Sequence, residues 1–385
     1  MKNILLVIPE NKGTIASVSF NLYNGLKNHP DTKVYVACLG DYSEDGFLFD
    51  NVIIYTDVTS NKIKKVINRI LFLRRIKKKY SIDISISTML GAIYWNILSG
   101  VGEYKIGIFH TRLSQFKYQG TLTYTTHYIL HKILFKKLNK FIAVNKSAYN
   151  DYIRLFGVKI NIELVYNIHN FGRISEKSKE AIDSEQEKNI FKKPVILYVG
   201  NLDIEIKGSD RLIKAFSKVR NCSDLNLVFI GGESSNHINS QVTLTNIAKE
   251  YNVENNVFFL GRKSNPYKYM LRSDLLVSPS RDEGLPGVLI EALSLGVHCI
   301  ATNSSLGVWE ILQKDDEYDP NLERIIKTDF GYITPNLLVN EERTISCLAD
   351  AISIFFTDKE KSFGVFDKSR FEEENITPHF IPLLG

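Results

Sequence analysis

The stretch Ser278-Pro-Ser-Arg-Asp-Glu-Gly-Leu-Pro-Gly-Val-Leu-Ile-Glu-Ala-Leu-Ser-Leu-Gly296 decides how the rest of the chain is read. It follows an apolar strand signal, Asp274-Leu-Leu-Val277, breaks at Glu283-Gly284 and resumes as a helix with Pro286 near its first turn. Proline suits that place because the first helical N–H groups lack an internal partner. Those amides, with the positive end of the helix dipole, predict an anion site over Leu285 to Leu289. Glu283 stands just before it. Glu291 lies about five residues into the helix, roughly 7 Å along its axis. Helical side chains lean toward the N-terminus, so Glu291 reaches a group bound beside the anion. An anion with a polyol on either side outlines a nucleotide sugar: pyrophosphate on the amides, ribose on one acid, hexose on the other.

Outward from this stretch, strand and helix signals alternate. Upstream lie strands at Pro194 to Gly200, Leu225 to Gly231 and Val257 to Gly261, with His298 to Ala301 and Gly331 to Ile333 downstream. The first half repeats the rhythm, with strands ending near Ile8, Cys38, Tyr55, Ser87, His110, Val144 and Tyr166. Strands punctuated by helices predict βαβ units and parallel sheets. Residues 175–193 are polar and charged, the composition of a linker. The expected architecture is two doubly wound α/β domains: 1–175, a linker at 176–193, 194–364, and at 365–385 a last helix, Arg370 to Leu384, returning to the first domain. Open α/β sheets bind ligands beyond the carboxyl ends of their strands. The loops Gly13 to Ser17, His110, Gly200 to Gly208 and Glu283 to Val288 all fall at such ends.

A chain of 385 residues, 44% hydrophobic and 24% charged, has the composition of a folded two-domain protein. The N-terminal apolar run is too short for a signal peptide and no run is long enough to span a bilayer, so a cytoplasmic protein is expected. Cys38, Cys222, Cys299 and Cys347 show neither zinc spacing nor a disulfide framework. The net charge of +5 conceals a division. Residues 1–180 carry 26 Lys/Arg against 13 Asp/Glu, leaving 22 against 30 for the remainder. The segment Asn61 to Tyr80 holds nine basic residues and no acid, interleaved with aliphatic ones. Such a helix suits an anionic membrane surface, which is the partner expected for it. No recognition helix or aromatic RNA motif accompanies it, so nucleic acid is not expected.

Lys207, in the loop Gly200-Asn-Leu-Asp-Ile-Glu-Ile-Lys-Gly208, is placed to neutralise a leaving phosphate. His110 is a candidate at a strand end, with His169 a weaker one. Neither a G-x-G-x-x-G fingerprint nor a G-x-x-x-x-G-K-[ST] loop occurs. The acids between Asp315 and Asp319 lack histidines and read as a surface loop; no metal and no cofactor are expected.

Glu283-Gly-Leu-Pro-Gly-Val-Leu-Ile-Glu291 resembles the E-x7-E signature of family 4 retaining glycosyltransferases, which have the GT-B fold of two facing Rossmann-like domains, an interdomain cleft and a C-terminal crossover helix. Tyr198-Val-Gly-Asn-Leu with Lys207-Gly208 resembles the family's first C-domain loop, and Phe259-Leu-Gly-Arg-Lys-Ser-Asn-Pro266 its base-binding segment. The likeness is specific over about 195–312 and weaker over 1–170. It implies a donor site of Gly200, Asn201, Lys207, Arg262, Gly284, Leu285, Pro286, Gly287, Val288 and Glu291. In that site Glu291 meets the ribose and Glu283 the donor sugar, while Lys207 and the amides hold the diphosphate. It implies catalytic roles for Glu283, Lys207 and His110, and an acceptor-side loop at Gly13 and Thr14. Two positions depart from the pattern: Asn201 replaces the usual arginine after the loop glycine, and Gly13-Thr14 replaces a glycine pair.

The expectation is a retaining, metal-independent hexosyltransferase. It would move a hexose or N-acetylhexosamine from a nucleotide sugar, expected to be UDP-linked, to a glycan or lipid-linked oligosaccharide in cell-surface polysaccharide synthesis. Its expected place is the inner face of the plasma membrane. A nucleotide-sugar epimerase of the same fold and a noncatalytic polyanion-binding protein are the alternatives.

Overall fold

A computed structural model of the chain describes residues 1–44, 46–57, 59–157, 161–233, 239–313, 318–337, 339–358 and 362–381. It divides into two units, Met1–Asn170 together with the chain from Ser369 onward, and Phe171–Lys368.

The first unit runs β1 (Lys2–Ile8), α1 (Gly13–Asn28), β2 (Thr32–Cys38), β3 (Val52–Ile54), α2 (Lys62–Lys79), β4 (Ile84–Thr88), α3 (Leu90–Leu98), β5 (Tyr104–Phe109), α4 (Thr121–Leu134), β6 (Lys140–Ala143), α5 (Lys146–Phe156) and β7 (Ile162–Leu164). Its seven strands lie in the order β3-β2-β1-β4-β5-β6-β7, all parallel. Alternation along β1 fills two cores. Ile4, Leu6 and Ile8 pack with Leu22 and Leu26 of α1, whereas Leu5 and Val7 pack with Leu73 and Ile76 of α2. Burial on both faces is why these strands read as unbroken apolar runs.

The second unit runs α6 (Phe171–Ser178), α7 (Glu185–Ile190), β8 (Val195–Val199), α8 (Ser209–Ser217), β9 (Asn226–Ile230), α9 (Ser240–Glu250), β10 (Val257–Phe259), α10 (Tyr267–Met270), β11 (Leu275–Ser278), α11 (Gly287–Ser294), β12 (His298–Thr302), α12 (Leu306–Leu312), β13 (Ile326–Thr328), β14 (Gly331–Thr334) and α13 (Glu341–Thr357). The sheet order is β10-β9-β8-β11-β12-β14-β13, with only the β13–β14 pair antiparallel. Strand order reverses between β1 and β4 in the first sheet and between β8 and β11 in the second. Those reversal points are where doubly wound sheets open a crevice for ligands.

Three expectations need correction. Residues 176–193 are not a free linker: α6 and α7 belong to the second unit. Glu187 ties the segment down, taking Lys263 Nζ at 2.6 Å and the Tyr269 hydroxyl at 2.6 Å, with Ile174 and Ile182 buried. The loop expected at Gly13 to Ser17 is already helix. Gly13 turns the chain out of β1 at φ +83°, a conformation open to glycine, so α1 starts at once. The terminal segment is not one helix but two short 3-10 turns flanking α14 (Glu373–Ile376). It buries Phe371, Ile376, Phe380 and Ile381, the last three in the core of the first unit. Leu384, where the expected helix ended, lies outside the described residues, as do Asp315 to Glu317 of the acid cluster.

The basic helix α2 is only partly a basic surface. Lys77 turns fully inward, 2.6 Å from the buried Glu103 carboxylate, and donates to the Asn96 carbonyl and Ser99 hydroxyl at 2.8 and 2.9 Å. Arg69 lies 4.4 Å from the centre of the Trp95 ring. Its outer face carries Ile63, Val66, Ile67 and Leu71 exposed among the remaining cations. Among the described residues, no helix is long and apolar enough to cross a membrane.

Candidate active site

The two loops that flank the reversal point of the second sheet hold Lys207 and Glu283, two of the expected site residues. The loop after β8 tightens because the Ile206 amide donates to Asp203 Oδ1 at 2.8 Å and the Lys207 amide to the Asp203 carbonyl at 3.1 Å. Gly208 then enters the left-handed region at φ +62°. A Cβ there would stand 2.4 Å from the Pro279 carbonyl, so the loop can press against the segment after β11 only with glycine at this position. The result is an ion pair between Lys207 Nζ and Glu283 Oε1 at 2.8 Å, with the Ser280 hydroxyl donating to the same oxygen at 2.7 Å. Lys207 and Glu283, read separately from sequence, are thus partners.

Arg281 holds the two loops together. Its amide donates to the Ile206 carbonyl at 2.7 Å, and its guanidinium spans both Asp210 oxygens at 3.0 and 3.2 Å and reaches Glu341. Arg211, 1% exposed, bonds Glu341 at 2.7 Å and Asn336 Oδ1 at 2.8 Å, while Asn336 Nδ2 returns to the Arg281 carbonyl at 2.9 Å. Two arginines, two carboxylates and an amide satisfy one another, which the buried Arg211 and Asp210 require and the half-exposed Glu341 completes. This clamp has no sequence signature, because its members come from three distant segments.

Helix α11 begins at Gly287 with Pro286 as its N-cap, one step later than expected. The Leu289 amide is bonded to the Pro286 carbonyl at 3.0 Å, so of the expected Leu285 to Leu289 amides only Gly287 and Val288 are helix N–H groups without an in-helix acceptor. The preceding turn is braced from behind, since the Ser305 hydroxyl donates to the Gly284 carbonyl at 3.1 Å. Gly307 lies so near that a Cβ would stand 2.0 Å from the same oxygen. Glu291 follows on α11, with the Tyr267 hydroxyl donating to Oε1 at 3.4 Å. Burial pushes the Glu291 carboxyl up to about 7, against the lowering effect of that hydroxyl. Tyr267 was not among the expected site residues.

Arg262 is exposed after β10 and donates to Asn201 Oδ1 at 3.3 Å and to the Glu233 carbonyl at 2.9 Å. It therefore places a guanidinium on the residue that replaces the expected arginine. Gly200 packs beneath, its amide bonded to the Ile230 carbonyl at 3.0 Å.

In the first unit His110 directly follows β5. Its carbonyl takes Asn145 Nδ2 at 3.3 Å, its Nε2 is buried without a partner, and burial pushes its pKa down to about 4. His169 is also driven to about 4 by burial, and its backbone amide is bonded to the Phe371 carbonyl, a packing role. Gly13 and Thr14 form the first turn of α1; the Thr14 side chain lies outside the described residues. Asn11, fully buried, bonds Ser43 and Phe47.

Comparison with known proteins agrees with this geometry. Residues 180–321 match the family model described as glycosyl transferases group 1. An uncharacterized glycosyltransferase of Methanocaldococcus jannaschii is 32% identical over 191 residues, 49% of this chain and 43% of that one. The N-acetylgalactosamine-N,N'-diacetylbacillosaminyl-diphospho-undecaprenol 4-alpha-N-acetylgalactosaminyltransferase of Campylobacter jejuni is 31% identical over 193 residues, 49% and 48% of the two chains. The chain spans about half the length of the curated relatives it matches. The structure of Anabaena HepE in complex with UDP and glucose aligns over 100% of this chain and 99% of its own with a TM-score of 0.71 at 15% identity, a likeness of fold. The architecture is thus GT-B, two Rossmann-like α/β domains. Residues 180–321, which hold the Lys207–Glu283 pair and Glu291, match the model of the group 1 glycosyl transferases, in line with the E-x7-E resemblance.

Proposed function

We propose that the protein is a retaining, metal-independent hexosyltransferase. It transfers a hexose or N-acetylhexosamine from a UDP-sugar to a hydroxyl of a glycan or lipid-linked oligosaccharide during cell-surface polysaccharide synthesis. The observation that carries this reading is the juxtaposition at the β8/β11 reversal point. A lysine–glutamate pair stands before an uncapped helix start, and a second carboxylate projects from the same helix. In the proposed reaction Glu291 accepts the ribose hydroxyls. Lys207 and the Gly287 and Val288 amides take up the negative charge that grows on the diphosphate as the glycosidic bond loosens. Glu283 orients Lys207 and faces the sugar, and the acceptor hydroxyl attacks from the face the diphosphate leaves, passing its proton to the departing phosphate oxygen. The UDP seen with HepE and the diphospho-undecaprenol named for the Campylobacter relative support donor and acceptor classes of this kind.

The outer face of α2, with Ile63, Ile67 and Leu71 among lysines and arginines, suits an anionic lipid surface that would bring a lipid-linked acceptor within reach. Sedimentation with vesicles rich in anionic lipid tests this part; equal partition to neutral vesicles would remove it.

The transfer itself is tested by screening UDP-sugars with glycan and lipid-linked acceptors for UDP release and by determining the anomeric configuration of the product. Retention of configuration, full activity in chelator and loss of turnover in Glu291→Ala are expected. An inverted product, or a Glu291→Ala enzyme with normal donor affinity, would overturn the reading.

A further inference from the structure

The first unit contains a cavity of about 300 Å³ at the carboxyl ends of β4 and β5, bounded by Met89, Leu90, Gly91, Phe109, His110 and Phe116 among others. Its walls are mostly carbon. Thr111 and Gln115 also line it, and two further features break the carbon pattern. Leu90 and Gly91 open the nine-residue α3, whose first amides have no acceptor inside the helix and whose N-cap Met89 supplies no side-chain cap. His110 Nε2 is buried and unpartnered, and burial keeps the imidazole neutral at working pH. With its proton on Nδ1, the Nε2 atom is an acceptor. Met89 itself is held at φ +70°, ψ 140°, a region side-chain-bearing residues rarely enter, and such strain is found at ligand clamps.

A cluster of sugar hydroxyls is a poor match for such a cavity, since each would need its own partner. An acetamido group matches the apolar walls, the α3 amides and the imidazole nitrogen together. Its methyl needs carbon walls, its carbonyl oxygen needs an N–H donor, and its N–H needs one acceptor. We infer that this cavity receives the acetamido group of an N-acetylated sugar on the acceptor side, a specificity that rests on the glycosyltransferase reading above. The carbonyl lies toward the α3 amides, and the N–H donates to His110 Nε2.

Binding is measured on the full chain by NMR, following the His110 imidazole while methyl N-acetyl-α-glucosaminide or -galactosaminide is titrated against the parent methyl hexosides. The N-acetylated sugars are expected to bind at least tenfold more tightly and to shift the His110 Nε2 resonance. A Phe116→Ala variant with an unchanged melting temperature is expected to reduce the preference below threefold. Equal binding of the two sugar classes, a stationary His110 resonance, or stronger binding of the corresponding uronic acid would overturn the inference. Because this readout needs no turnover, it separates the two claims. Transfer without preference for N-acetylated acceptors contradicts the cavity assignment alone. Acetamido binding in a protein that transfers no sugar upholds the cavity and contradicts the enzyme.

Discussion

Burial raises the Glu291 carboxyl to about 7, so near neutral pH the side chain is divided between its acid and its carboxylate. Only the carboxylate accepts two hydroxyl hydrogens from a ribose diol. Donor affinity is therefore expected to rise with pH up to about 7 and level off above it, and direct titration of donor at pH 5.5 to 8.5 checks this. The same shift has a sign for stability. A carboxyl whose folded pKa lies above its unfolded value stabilises most when protonated, and that contribution is lost as pH rises from about 4.5 through about 7. Glu291→Gln should thus melt increasingly above the wild type across that window while binding donor about tenfold or more weakly. A melting difference independent of pH would count against it. Lys77 makes the opposite case. Burial pushes it down to about 8 although Glu103 opposes the shift. Burial also works against ionisation of Glu103, but Lys77 outweighs it and holds that carboxyl below its ordinary range. Lys77→Met leaves the buried Glu103 carboxylate with Lys105, 3.8 Å away, as its cation, and should cost about 3 kcal/mol in denaturant unfolding. It should leave vesicle binding unchanged, because Lys77 does not reach the surface.

At the scale of elements, what sequence reveals depends on chain separation. The Glu283–Glu291 arrangement is legible because nine consecutive residues contain both acids, the turn and the helix start. Parallel strands such as β1 and β8 are legible because burial on both faces demands apolar runs. The Arg281–Asp210 contact is not, because 71 residues separate the partners and neither sits in a distinctive pattern. The same holds for β13, a three-residue edge strand, and for α6 and α7, whose largely exposed polar residues also make specific ties to Lys263, Tyr269 and Asn265. Asn201 is the instructive departure. It is a missing cation in sequence, yet the loop after β10 sets the Arg262 guanidinium 3.3 Å from it. Arg262 should therefore supply the lost charge. Arg262→Ala is expected to raise the donor KM about tenfold, and adding Asn201→Arg should restore most of the loss. A double variant no better than Arg262→Ala would show that the charge at this place is immaterial.

For the whole molecule, the sequence divides into a basic first part and an acidic remainder, and the structure divides into two units at nearly the same place. The proposed donor site lies in the acidic unit, where Arg262, the helix amides and Lys207, paired with Glu283, form a local positive centre against the prevailing charge. Such a centre favours a compact diphosphate over polyanions at large. It also makes the central claim accessible without knowing the sugar or the acceptor. Calorimetric titration of UDP into the full chain and into Glu291→Ala and Lys207→Met tests it most directly. The wild type should bind one UDP with a Kd in the micromolar range, about −8 kcal/mol, and each variant should lose at least tenfold. Absence of UDP binding, or equal affinity in all three proteins, would contradict the assignment of the β8/β11 reversal point as a nucleotide-sugar site.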